Sequence, residues 1–241
     1  MMSAAVFVRL VALSSLCALA GCTAAELPDE ADDPGEEAAG AAAEGQADSQ
    51  PETILAMLQA RIGRFEAGPR RAVLAAAVYG QTFWQGAVAK LLGLAAEAPE
   101  IVAWLQALVD AELVEAHPKS QIPGQWEYGF RHALVGDAAY GLLTESDRQV
   151  GHQLAAEFLE AADQQAASAV LAYHFRQAGL LDKALQHYLQ AGDRSAAQSL
   201  DAEARVHYAA AAETLALLPD TPSRRRLHVD LLLKRVQSSM T

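Results

Sequence analysis

The sequence predicts a mainly α protein, in which a group of helices closed by a small β-hairpin is followed by an array of repeated helices. Three observations predict it. Apolar residues recur at helical spacing over most of residues 51–241. One short stretch, Trp126-Glu127-Tyr128-Gly129-Phe130, alternates with period two instead. The segment Lys183-Ala-Leu-Gln-His-Tyr-Leu-Gln-Ala191 reappears, altered, as Glu203-Ala-Arg-Val-His-Tyr-Ala-Ala-Ala211. With 241 residues and 52% hydrophobic side chains, the chain suffices for one sizeable domain or two small ones sharing an interface.

The elements follow in order. Ile54, Leu55, Leu58, Ile62 and Phe65 form one apolar helical stripe, which Gly68-Pro69 is expected to end. A second helix is predicted over 70–79, closed by Gly80, and a third over 83–92. Pro99 suits the first turn of a fourth, whose apolar face is Ile101, Val102, Leu105, Leu108 and Val109. Leu113-Val114 is then a short apolar pair, residues 117–124 hold two prolines and a glycine, and the alternating stretch puts Trp126, Tyr128 and Phe130 on one face of a hairpin. Three helices followed by a hairpin is the outline of a winged helix, so residues 51–143 are predicted to be a winged-helix-like domain. Such modules often bind DNA. Here the corresponding recognition helix, 99–111, carries Glu100 and Asp110 and no basic residue. Without phosphate attraction, no nucleic-acid partner is predicted.

From Ala133 the pattern is helical again, and Thr144-Glu145-Ser146-Asp147 offers Thr144 as the N-cap of a helix running through Val150, Leu154, Phe158 and Leu159. In the repeated segment Ala184, Tyr188 and Ala191 recur as Ala204, Tyr208 and Ala211. Small residues where helices touch, with an aromatic filling the next turn, is the packing logic of tetratricopeptide repeats. Leu171, Ala172, Phe175 and Gly179 extend the match upstream, so one repeat fits over 165–198. The two segments lie 20 residues apart, whereas that repeat's period is about 34. The second copy therefore fits only in its latter helix, and its first helix is expected to be short or irregular. Residues 144–241 are predicted to be tetratricopeptide-like helical repeats. Arg224, Arg225 and Arg226 open a final amphipathic helix, expected to be a solvated start, with anionic lipid or an acidic partner as the alternative. Either a partner covers an apolar edge there, or the chain is a piece of a longer architecture.

The N-terminus reads as an address. Arg9 precedes an apolar run, Leu10 to Ala20, too short to span a bilayer. Leu19-Ala20-Gly21-Cys22 then resembles the lipobox of bacterial lipoproteins. The resemblance implies a signal peptide over 1–21 and a diacylglyceryl group on Cys22, with Thr23 in place of Asp favouring the outer over the inner membrane. An apolar leader on a cytosolic protein, or a short membrane anchor, is the alternative. Residues 23–50 hold nine acids, no Lys or Arg, no aromatic and a single Leu, so a disordered acidic tether is predicted over 22–50. From Pro51 onward 21 acids face 17 bases, a nearly balanced body under a net charge of −12 for the whole chain. Cys17 and Cys22 are the two cysteines, which leaves the body without a thiol for a disulfide, a Cys-zinc site or a nucleophile.

The stretch FRHALVGDAAYGLLTESDR, with ARIGRF, AAAVYGQTFW and LVDAELVE upstream, is similar to a region of bacterial signalling ATPases. That region follows their nucleotide-binding domain, and these ATPases are often fused to serine/threonine kinases or nucleotide cyclases. The resemblance covers 51–236 and implies a winged-helix-like piece joined to tetratricopeptide repeats. A G-x-x-x-x-G-K-[ST] loop and the kinase signatures are missing from the sequence, so ATPase and kinase chemistry do not carry over. Arg131, His132, Asp137 and Tyr140 lie close together, but beside no nucleophile motif and at no metal-ligand spacing. They are candidate interaction or junction residues, with Arg131 and His132 expected between hairpin and helix and Asp137 in the helix's first turns. His187 and His207 are expected on successive helices as partly exposed polar positions. Trp84, Trp104 and Trp126 are expected in core and interface packing. No catalytic residue, metal, cofactor or small-molecule substrate is inferred. The expected function is that of a non-enzymatic, lipid-anchored module at the bacterial cell envelope. It would bind a protein or peptide through its helical repeat surface and the membrane through lipidated Cys22. The alternative is a regulatory C-terminal fragment of a kinase- or cyclase-linked signalling ATPase, acting in the cytoplasm.

Overall fold

The computed structural model describes residues 50–162 and 168–238. The predicted signal peptide, Cys22 and, but for Gln50, the predicted tether lie outside the described residues. Within them the chain is mainly α, with ten helices and one three-stranded sheet. The first half is α1 (Gln50–Gly63), α2 (Ala67–Ala77), β1 (Thr82–Trp84), α3 (Gln85–Leu92), α4 (Pro99–Asp110), β2 (Val114–Ala116), β3 (Glu127–Phe130) and α5 (Ala133–Gly141). The second is α6 (Glu145–Ala162), α7 (Ser168–Gln177), α8 (Leu181–Ala197), α9 (Asp201–Ala216) and α10 (Pro222–Gln237).

Two of the expected boundaries are corrected. Gly68-Pro69 begins α2, whereas the sequence reading has it end α1, which stops at Gly63. Pro69 falls in the first turn, where its missing N–H would have had no partner, and the first helical bond runs from the Arg70 N–H to the Glu66 carbonyl. Gly68 lets Trp104 of α4 lie across this turn; a Cβ there would sit 2.2 Å from the indole nitrogen. The helix expected over 83–92 starts two residues later, because Phe83 and Trp84 belong to β1.

The sheet runs β1-β3-β2, antiparallel throughout, with Phe83 opposite Tyr128 and Val114 opposite Phe130. Hairpin and three helices thus occur in the expected order, with β1 as an added strand between α2 and α3. On one face Phe83 stacks on Tyr128 at 5.9 Å between ring centroids and meets Phe130 at 5.3 Å. Trp126 does not join them as expected: it precedes the strand and is 66% exposed. The opposite face is buried at Trp84 and Glu127, and there it holds a carboxylate. Glu127 accepts hydrogen bonds from Trp84 Nε1 (3.1 Å) and the Gln121 N–H (2.7 Å), and its other oxygen pairs with His117 Nδ1 at 2.9 Å. Three donors on one buried acid pin the long 117–126 loop back onto the sheet.

Core residues form one connected cluster from Ile62 to Leu231. It is continuous across 143–144, where α3 packs on α6. Next, α6 to α10 stack each on its neighbour, and short links make consecutive helices antiparallel. The repeat is now legible as geometry. Ala184, Tyr188 and Ala191 on α8 and Ala204, Tyr208 and Ala211 on α9 are all buried. The links match too: Gly179 and Ser199, also 20 residues apart, both take left-handed backbone. Leu180 and Leu200 then donate their N–H groups back to Phe175 and Ser195. One helix plus its link is therefore the repeating unit, which corrects the expectation of a short or irregular helix between the copies. Gly192 of α8 sits under the Tyr208 ring, whose Cε1 would lie 2.4 Å from any Cβ.

Two stability outcomes follow. Glu127→Ala takes the acceptor from three donors, of which the Trp84 indole N–H is buried, and should cost about 2 kcal/mol in urea unfolding, Glu127→Gln markedly less. Gly192→Leu should cost about 1–3 kcal/mol by overpacking against Tyr208, whereas Gly63→Ala, with open space around it, should be neutral or slightly stabilising.

Candidate functional site

The side chains with the most chemistry per volume meet where α5, α6 and α7 converge. Small residues prepare the place: α6 buries Gly151, Ala155 and Ala156, and α7 buries Ala172, so the helices approach closely and leave room for two rings. His152 from α6 and His174 from α7 are 1% and 3% exposed. Their Nδ1 atoms are 2.8 Å apart, and His152 Nε2 is 2.9 Å from the Tyr140 hydroxyl of α5. Tyr173 stands edge-on to His152 at 5.6 Å, and Tyr79, just past the end of α2, lies 6.1 Å from His174. The Arg148 guanidinium covers the Tyr140 ring at 4.7 Å and donates to the Tyr140 carbonyl.

Burial, helped by the nearby Arg148 charge, lowers His152 to about 4. Burial and the neighbouring His152 lower His174 to about 3. Both are therefore neutral at pH 7, and burial first of all pushes the Tyr140 phenol up, so that it too is uncharged. Chemically this is a short proton chain across three helices. One hydrogen lies between the two Nδ1 atoms, and its position decides whether His152 Nε2 accepts from the phenol or donates to it.

Of the four residues singled out in the sequence, Tyr140 alone enters this chain. Arg131 is exposed and reaches Glu112 at 3.6 Å, joining the hairpin to the end of α4. His132 is exposed and occupies the N-cap of α5 without a side-chain capping bond. Arg131 and His132 do lie at the junction between β3 and α5. Asp137 is exposed and falls beyond the first turn of α5, which holds no acid, so the dipole reason given for it is corrected. Among the described residues no hydrogen bond or ion pair links Arg131, His132 or Asp137 to Tyr140. The sequence reading missed His152 and His174. Their signal was a polar ring at the spacing of a buried small-residue face, Gly151-His152 with Ala155-Ala156. His187 stacks on Phe175 at 5.3 Å and is half-buried, as expected; His207, expected to be partly exposed, is buried, since α9 is covered by neighbours on two sides.

Two surfaces complete the inventory. A groove of about 290 Å³ between α2, α3 and α6 is walled by Leu74, Val78, Leu91, Val150 and Leu154, with exposed Arg71 and Asp147 beside them. On α10, Leu231 is fully buried, while Val229, Leu232, Leu233 and Val236 are 55%, 44%, 57% and 50% exposed. At 100° per residue these four form one outward stripe. Arg224 is occupied by Asp182, Arg225 by Asp220 and Lys234 by Asp193. Arg226 and Arg235 are exposed and have no ion pair among the described residues. Among those residues there is no cluster of three or more His, Cys, Asp or Glu able to hold a metal ion, and no helix long and apolar enough to cross a membrane.

The histidine pair should make the fold acid-sensitive. The unfolded imidazoles take protons near 6.5, while the folded ones refuse them down to about 4 and about 3. Stability is thus complete above pH 6.5 and falls as pH drops below it, by up to ~1.4 kcal/mol per pH unit for each histidine. Urea midpoints between pH 7.5 and 5 should show this fall, and it should be shallower in His174→Asn.

No family model matches the chain, and no solved structure matches it. The chain is 33% identical over 91 residues to an uncharacterized protein of Rhizobium meliloti (strain 1021). That similarity covers 35% of this chain and 9% of the other protein.

Proposed function

We propose that this chain is a non-enzymatic, lipid-anchored protein–protein interaction module of the bacterial cell envelope, tethered through Cys22. It takes an acidic amphipathic helix of another protein along α10. The observation that carries the reading is the outward face of α10: four exposed aliphatic side chains in one stripe, with Arg226 and Arg235 available for acids on the partner. An apolar stripe supplies area, and exposed cations choose among partners by charge. The element order of the first half supports a winged-helix-like piece, and the antiparallel stacking of α6 to α10 over buried small and aromatic residues supports a tetratricopeptide-like array. On α4, the outward positions Glu100, Val102, Gln106 and Asp110 present no cation, which weighs against a nucleic-acid partner. The binding role rests on this surface and on fold analogy, and the anchor rests on the lipobox resemblance.

A second reading, the regulatory C-terminal fragment of a kinase- or cyclase-linked signalling ATPase in the cytoplasm, is favoured by one observation. The related bacterial protein carries the similar stretch as 9% of a much longer chain.

Labelled fatty acid should enter the wild type and not Cys22→Ser; labelling that is absent from both rules out the anchor. A photoreactive residue at position 229 should crosslink to a partner whose sequenced attachment site is an acidic amphipathic helix. The same probe at exposed position 186 on α8 should not, and Leu233→Asp should abolish the crosslink. Crosslinks to lipid alone, or to a second copy of this chain, would refute the proposed partner.

A further inference from the structure

The Tyr140–His152–His174 chain ties together three helices, and it counts protons. Its Nδ1–Nδ1 contact at 2.8 Å requires that one nitrogen carry a hydrogen and the other a lone pair. With the hydrogen on His152, Nε2 of the same ring is bare and accepts from the Tyr140 hydroxyl; with it on His174, His152 Nε2–H donates to the phenol oxygen. Either arrangement satisfies the chain. When both rings are protonated, two N–H groups face each other at hydrogen-bond distance, and no rotation of either ring supplies an acceptor, because an imidazolium has no free nitrogen lone pair.

The surroundings do not help a first proton either. From α5 the pair is faced by Tyr140; from α6 by Arg148, a second cation; from the end of α2 by Tyr79; and from α7 by Tyr173, which in turn acts on Tyr188 of α8. Glu145 acts on Tyr140 but is exposed and accepts from Gln149. The Lys90–Glu157 ion pair between α3 and α6 is internally balanced. Among the described residues no carboxylate touches either imidazole. A buried cation without a counter-ion is costly, so a first proton is disfavoured while the contact stands, and a second is excluded by it.

We propose that the Tyr140–His152–His174 chain is a proton-operated latch: closed while both imidazoles are neutral, it holds α7 against α6 and α5, and proton uptake parts the two rings and releases α7. The latch sits where the hairpin-bearing half meets the helical array, so its release loosens the array at its root while the sheet and the α8–α9 pair keep their own packing. It does not depend on the proposed partner or anchor.

The test is hydrogen–deuterium exchange on the full chain at pH 7.5 and pH 4.5, corrected for intrinsic exchange. Protection over residues 148–156 and 170–177 should fall at least tenfold at the lower pH, while residues 204–215 and the sheet keep theirs. In His174→Asn, whose amide reaches His152 without titrating, the fall should be under threefold. Unchanged wild-type protection, an equal fall in the variant, or a uniform fall that includes α9 and the sheet would each overturn the latch. If the variant does not fold at pH 7.5, the imidazole ¹⁵N shifts of the wild type decide. Both rings should stay neutral down to the pH at which α7 loses protection, and protonation with α7 still protected refutes the idea.

Discussion

Close approach of helices through alanine and glycine is the constraint on which this structure depends. Most of the helices bury residues with little side chain beside their larger core groups: Ala72, Ala75 and Ala76 on α2, Ala138 and Ala139 on α5, Ala155 and Ala156 on α6, Ala184 on α8, Ala204 and Ala211 on α9. Small residues contribute little apolar area each. What they give is proximity, and proximity forces large groups into a few places where the shape must match. Trp104 needs Gly68, and Tyr208 needs Gly192. The backbone geometry and the aromatic positions are therefore one problem, solved together.

The same crowding explains the buried polar groups. Where helices are this close, a polar side chain has no route to water and must find its partners inside. Glu127 does so with Trp84, Gln121 and His117, turning a long loop into a closed flap on the sheet. His152 does so with Tyr140 and His174. The first arrangement is saturated by donors from within one half of the molecule, so it stabilises a local shape. The second draws its members from three helices, so it governs how those helices stay together.

Surface chemistry is distributed unequally. Two cations of α10 tie that helix to α8, through Asp182 and Asp193, and Arg225 pairs locally with Asp220. The outward apolar stripe and two exposed arginines remain beyond that packing. A helix that is apolar on two opposite faces has more buried-type surface than its own neighbours cover, which is why this face carries the proposed function.

The sequence by itself determined the mainly α character, the hairpin, the N-cap at Thr144 and the repeated small–aromatic pattern, because each rests on periodicity or local hydrogen bonding within a few residues. Thr144 accepts from the Asp147 N–H, as its spacing requires. Local signals misled where a residue's partner is remote. Phe83 and Trp84 read as helix until β3 pairs with them, Pro69 reads as a stop until α2 is seen to begin there, and Arg131, His132, Asp137 and Tyr140 read as a cluster because they are neighbours in sequence. Only the tertiary structure decided that Tyr140 turns away from the other three toward His152 and His174, 12 and 34 residues further along. It also decided that Glu127, drawn as one position in an alternating strand, is a buried anchor. Both depend on which faces come together, and that is a property of packing between elements which no single element's pattern contains.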